Sequence, residues 1–236
     1  MTMTRAVADG GPCPPAAALA ETASEGSGRA QTPAEERLNA LLHGIGALGA
    51  LVAGLTLLTH VAHQGHAIEV LGVGIFALTM VALYTVSTIY HALTPGPAKD
   101  RFQRIDRAAI AAFLAGTYTP IALFMVRGRI GVLLLIAEWL LAAFGIALLT
   151  GDPRRYARRS QSLYQIMGWL TALGAPGFFR HTPAAVIGAL GLGALCYVGG
   201  VVLLIRDYRK YFHAAFHLLV LLGTGLQFWA ISLYLG

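Results

Sequence analysis

Hydrophobic blocks recur along nearly the whole chain after residue 37, and they constrain it more than any other feature. They read as helices over residues 38–62, 67–93, 105–126, 130–150, 160–177, 183–205 and 212–235. Most hold about 20 residues or more, and at about 1.5 Å per residue such a helix crosses a hydrocarbon core of about 30 Å. Only 12% of the chain is charged, against 56% hydrophobic. A soluble domain carries about twice that charged fraction. The expected fold is therefore all-α: a polytopic membrane protein built as a bundle of seven transmembrane helices, with six as the fallback. The fifth block is the shortest, closely bounded by Arg159 and Pro176.

Residues 1–31 are rich in Ala, Gly, Pro and Ser and have no periodic apolar face. They read as a disordered cytoplasmic tail in front of a membrane domain over 32–236. An early apolar core with a cleavage site is missing, so the first span is expected to serve as an uncleaved anchor. Thr32-Pro33-Ala34-Glu35 has the pattern of a capping box with proline at the first helical position. It predicts a short helix lying at the membrane surface ahead of the first span. Two cysteines, Cys13 in the tail and Cys196 within the sixth span, make no disulfide framework.

The net charge of +6 invites a nucleic-acid reading, but the basic residues form no single patch. They report orientation instead. With the N-terminus inside, 14 of the 17 basic residues fall on cytoplasmic segments, and Arg127, Arg129 and Arg180 fall outside. The excess of positive charge on one side predicts a cell-membrane protein with a cytoplasmic N-terminus and an external C-terminus. It predicts no nucleic-acid partner.

That topology puts several polar residues at one depth. His91 ends the second span, Asp106 opens the third, and His213 and His217 open the seventh. Ser87 lies one turn deeper than His91 on the same face. Ionisable residues inside a membrane are costly and read first as functional. Three neutral imidazoles leave a fourth coordination position open for water, the pattern of a catalytic zinc site. Asp106, read at a helix N-terminus that favours its ionised form, would orient that water or accept its proton. Blander readings exist for each part. An H-x-x-x-H pair alone is weak evidence, helix-end histidines often bond water at headgroup level, and a lone Ser87 is more often a packing residue. The coincidence of depth favours the metal.

Other polar residues stay outside the metal set. His43 enters the first span at a similar depth and reads foremost as a packed, water-bonded histidine, with a partner behind a metal ligand or a substrate contact as the other readings. His60, His63 and His66 read as a solvated external turn, and His181 as another turn residue. Glu138 lies inside the fourth span, where it would exchange a proton or pair with a hydroxyl such as a buried tyrosine; the sequence names no partner. Gly116 to Pro120 interrupt the third span. Proline there frees a carbonyl near Gly116, and the kink either opens a cavity above the cluster or reflects close helix packing.

The chain resembles the hemolysin III family, the bacterial relatives of the progestin and adiponectin-Q receptors. The resemblance rests on "EERLNALLHGIGALGA" (35–50), "YTVSTIYHAL" (84–93), "RIDRAAIAAFLAGTYTP" (104–120), "LYQIMGW" (163–169), "YVGGVVL" (197–203) and "FHAAFHLLVLLG" (212–223). It implies seven spans and a cytoplasm-facing Zn2+ site with His91, His213 and His217 as ligands. It also implies that Asp106 holds the zinc-bound water, with Ser87 nearby. The wider superfamily includes ceramidases, which implies hydrolysis of a lipid amide. Members commonly carry Asp-His where this chain has Asp106-Arg107; neighbouring helix positions face different directions, so the metal site is expected to survive.

Three functions compete at this point. The first is a zinc-dependent hydrolase cutting an amide or ester in a membrane lipid. The second is a cytolysin or pore-former, which needs a polar stripe through the bilayer. The third is a receptor or regulator of membrane lipid composition in which Asp106 closes a structural zinc site.

Overall fold

The computed structural model describes residues 29–149 and 153–236. Most of the expected tail, residues 1–28, lies outside the described residues. The described chain forms eight α-helices and no strand. These are α1 (Pro33–Gln64), α2 (Ala67–Ala92), α3 (Pro97–Pro120), α4 (Gly128–Leu149), α5 (Pro153–Leu170), α6 (Ala175–His181), α7 (Ala184–Ile205) and α8 (Phe212–Leu235). A π-helical turn, Ile121–Val126, extends α3, and a 3₁₀ turn, Thr171–Gly174, joins α5 to α6.

Six of these segments are long and apolar enough to cross a membrane: α1, α2, α3 with its π turn, α4, α7 and α8. Their outward faces fit that role. Leu48, Leu78, Leu133, Leu140 and Leu195 are each 65–70% exposed. Large aliphatic side chains presented in quantity all round a bundle suit lipid as the surrounding solvent. Each of α1 to α4 packs on the next, α7 packs on α8, α8 returns against α1, and α5 lies on α3 and α4. The second half of α3 is the most enclosed stretch, with Ala115 to Ala122 all buried.

Three expectations need correction. The capping box is present, with the Thr32 side chain accepting from the Glu35 backbone. It starts no separate surface helix, however, because α1 runs unbroken from Pro33 to Gln64. The third helix begins at Pro97 rather than 105, with proline in its first turn. Hydropathy marks where a helix enters lipid, not where its hydrogen bonding starts, so Lys99, Arg101 and Arg104 belong to its first turns. Asp106 is accordingly well inside α3 and gains nothing from a helix N-terminus.

The third correction concerns the fifth block, which is broken at Thr171–Gly174 instead of forming one helix. Pro176 lacks the N–H that would bond the Ala172 carbonyl, so regular α-helix cannot continue through it. The broken segment touches the bundle at two levels. Near one end Tyr164 Oη donates to Arg107 O at 2.6 Å, and at the other a Cβ on Gly177 would meet Val126 O at 2.9 Å.

The third helix also ends unusually. Pro120 cannot donate a hydrogen bond, and Thr119 Oγ1 bonds Ala115 O at 2.8 Å. The chain widens into the π turn, closed by Arg127 N donating to Ala122 O at 3.0 Å. Arg127 (φ 59°) and Gly128 (φ 62°) then reverse it in left-handed conformations. Gly116 packs directly against Thr79, so close helix packing, not a cavity, explains that glycine.

Candidate metal centre

His91 is in the last turn of α2, and His213 and His217 are in the first two turns of α8. Hydrophobic packing of these helices against α1 brings the three imidazoles together, with one nitrogen from each within 4.8 Å of the others. His91 and His217 are buried, and His213 is partly so. The two Nε2 atoms of His91 and His217 face each other at 3.0 Å. Two imidazole nitrogens on a tetrahedral zinc stand about 3.3 Å apart, given Zn–N bonds of about 2.0–2.1 Å. The cluster is therefore close to the spacing the ion needs.

Carboxylates fix the orientation of two of the rings. His91 Nδ1 meets Glu36 Oε2 at 2.7 Å, and His213 Nδ1 meets Asp207 Oδ2 at 3.0 Å. A carboxylate accepts only, so each Nδ1 is the protonated nitrogen and each Nε2 turns a lone pair toward the centre. Lone pairs converging in a buried space repel unless a cation or proton lies between them. The donor set thus fits a metal, and among metals imidazole suits zinc.

The carboxylates are themselves held. Lys99 Nζ pairs with Glu36 Oε1 at 2.9 Å, lies over the Tyr90 ring, and donates to Leu93 O. Gln31 Nε2 donates to Asp207 Oδ2 at 2.8 Å. The neighbouring Glu35, fully buried, takes both Arg29 nitrogens and the Tyr211 N–H (2.7 Å). Tyr211 is in the left-handed region (φ 64°), and that bond secures it. The lead-in to α1 is thereby strapped across the turn between α7 and α8, at the end of the bundle where the histidines sit.

Asp106 approaches from α3. It is half-buried and lies within reach of Ser87, His213 and Arg107. All five residues read from the sequence therefore meet in one region, with Asp106 and Ser87 beside the histidine triad rather than within it.

His43 packs directly on the triad. Its ring is edge-on to His217 with centroids 3.9 Å apart, and it touches Tyr84. Beyond Tyr84 a groove of about 220 Å³ runs between α1, α2 and α8, lined by Gly46, Ala50, Met80, Leu221 and Thr224. His60, His63 and His66 remain exposed and gather no metal-type cluster among the described residues.

Glu36 and Asp207 escaped sequence reasoning. A signal was present for one face: Glu35, Asn39 and His43 recur every four residues and are all buried. Asp207 had no such signal, because only the turn geometry brings it to His213.

Such a chain is a polytopic helical membrane protein carrying a three-histidine, metal-type centre at one end of its bundle. Comparison with known proteins places it more closely. Residues 31–228 match the Haemolysin-III related family, and the chain belongs to that family. It is 34% identical over 200 residues to the Hemolysin-3 homolog of Bacillus subtilis (strain 168), covering 85% of this chain and 94% of the relative. It is 32% identical over 200 residues to Hemolysin-3 of Bacillus cereus, covering 85% and 91%. The human Monocyte to macrophage differentiation factor is similar over 167 residues, with 28% identity and 68% and 69% covered.

The carboxylate contacts make a prediction of their own. Glu36→Gln and Asp207→Asn should each weaken any metal binding at the triad by about 10–100-fold, the usual effect of losing a partner behind a ligand. Titration against a competing chelator measures this. Glu69→Gln, at an exposed His66 pair, should change nothing.

Proposed function

We propose that this protein is a zinc-dependent hydrolase that cleaves an amide or ester bond in a membrane lipid, in the manner of a ceramidase. The observation that carries this reading is the carboxylate-backed histidine triad with a second, separate carboxylate, Asp106, beside it. Bound zinc would polarise the scissile carbonyl and lower the pKa of water to about 7. His91, His213 and His217 hold the ion. Asp106 orients the attacking water and accepts its proton, and the Ser87 hydroxyl holds Asp106 in place. The groove above Tyr84 offers an acyl chain an apolar bed reached from the bilayer. The experiment is lipid turnover by the purified protein before and after treatment with a chelator.

The second reading, a receptor or regulator of lipid composition with structural zinc, rests on the electrostatic reach between Asp106 and His213. If Asp106 closes the coordination shell, no position remains for water.

The centre faces the cytoplasm in this account, with seven spans, a cytoplasmic tail over residues 1–31 and an external C-terminus. Two observations support it: the 14-to-3 division of the 17 basic residues, and the passage of the broken fifth segment from the Arg107 level to the Val126 level. A reporter fused after Gly236 should then behave as external, and one inserted within residues 154–159 as cytoplasmic. A cytoplasmic signal from the C-terminal fusion would contradict this topology.

A further inference from the structure

We propose that Glu138 and Tyr118 form a proton-binding site in the half of the bundle opposite the histidines, loaded from the aqueous phase at that end. Glu138 stands ten positions beyond Gly128 on α4, which is about 15 Å along the helix and close to mid-membrane. It is 1% exposed, and neither carboxylate oxygen has a hydrogen-bond partner among the described residues. Tyr118 of α3 is 3% exposed, and its hydroxyl is likewise unpartnered. The next residues along each helix meet, Trp139 Nε1 donating to Thr119 Oγ1 at 3.1 Å, and a Cβ on Gly174 would touch both Leu134, one turn from Glu138, and Tyr118 Oη, so the two side chains sit at one level.

An ionised carboxylate buried without a counter-charge is far costlier than a neutralised one. Among the described residues no cation or hydrogen-bond donor pairs with Glu138. The titratable group beside it is Tyr118 from α3. The fifth segment brings Leu170 and Gly174 to this level, and Arg127 and Arg129 stand farther out.

Three interruptions of helical regularity meet around this pair. They are Pro120 with its π turn, the 3₁₀ turn Thr171–Gly174, and Pro176. Irregular backbone at membrane depth is tolerated where it is buried in protein or lines a water-filled cavity. A cavity of about 340 Å³ opens here toward the end of the bundle, lined by Val126, Arg127, Gly128, Arg129, Gly174 and Gly177. Gly174 is the step toward Tyr118, since a Cβ added there would lie 3.3 Å from Tyr118 Oη. The phenol thus stands between the cavity and the carboxyl group.

The basic rim discourages a metal cation, whereas a proton passes along water. Hydronium from the bulk phase, at the cavity floor, gives a proton to Tyr118 Oη and leaves neutral water, as the phenol passes its own proton through one intervening water to a Glu138 oxygen. The carboxylate gains one proton, and the phenol is unchanged.

No residue of the histidine centre takes part, so the proposal stands or falls apart from the hydrolase reading. Its test is infrared spectroscopy of the full chain in lipid vesicles at neutral pH. The expected result is a protonated-carboxyl band that shifts when water is exchanged for D2O. That band is lost in Glu138→Gln, which keeps the side chain's shape, and in Tyr118→Phe it persists but its D2O shift is slowed. Circular dichroism confirms that both variants are folded. A wild-type spectrum identical to that of Glu138→Gln in this region would overturn the proposal, because the carboxylate would then be charged. An unslowed D2O shift in Tyr118→Phe would overturn it as well, because the proton would reach Glu138 by another way.

Discussion

Replacing His217 with Ala should empty the metal centre. His217 is buried between His91 and His43, with its Nε2 3.0 Å from that of His91. A three-imidazole zinc site has no spare ligand, and the two remaining rings cannot close around the ion from α2 and α8 alone. The loss of affinity should exceed the about 10–100-fold expected for the carboxylates behind the ligands. Zinc per chain and lipid turnover should fall together. Acid should do to the native protein what this mutation does, because protonated imidazoles cannot bind zinc: metal is held at neutral pH and released as pH falls. Elemental analysis of the purified variant checks the first expectation, and the same assay across pH checks the second.

Asp106→Asn should have the opposite signature. The amide keeps the side chain's size, and the three imidazoles and their carboxylates are untouched. Metal should therefore stay. The negative charge that takes a proton from the attacking water is lost, and such a role is worth about 10²–10⁴-fold in rate. The expected phenotype is zinc-loaded protein with turnover reduced by that factor. If this variant loses zinc as completely as His217→Ala, then Asp106 is a direct fourth ligand, the shell is closed, and the structural-zinc reading replaces the hydrolase.

The helices were largely legible because lipid imposes long apolar runs, and α7 and α8 start within a residue of where those runs place them. The triad was legible too, since His213 and His217 share a helix face by spacing alone. Partners supplied by other elements were not. Glu35 and Glu36 are adjacent in sequence, yet about 100° of helix phase sends one to Arg29 and Tyr211 and the other to His91. Asp207 reaches His213 only through the turn that Tyr211 and Glu35 hold. The start of α3 was misread because its first turns are charged, and the break at Thr171–Gly174 because hydropathy is blind to backbone hydrogen bonding. Glu138 was conspicuous in the sequence, but Tyr118, its neighbour on another helix, could be recognised only once α3 and α4 were packed together.

The most direct test of the hydrolase reading is release of free fatty acid from an amide-linked membrane lipid by the reconstituted protein, followed through removal and return of zinc. The account predicts turnover by the zinc-loaded protein, its loss when a chelator strips the metal, and its recovery when zinc is restored. Turnover that persists in the stripped protein, or a zinc-loaded protein that releases no fatty acid from amide or ester lipids, would contradict it.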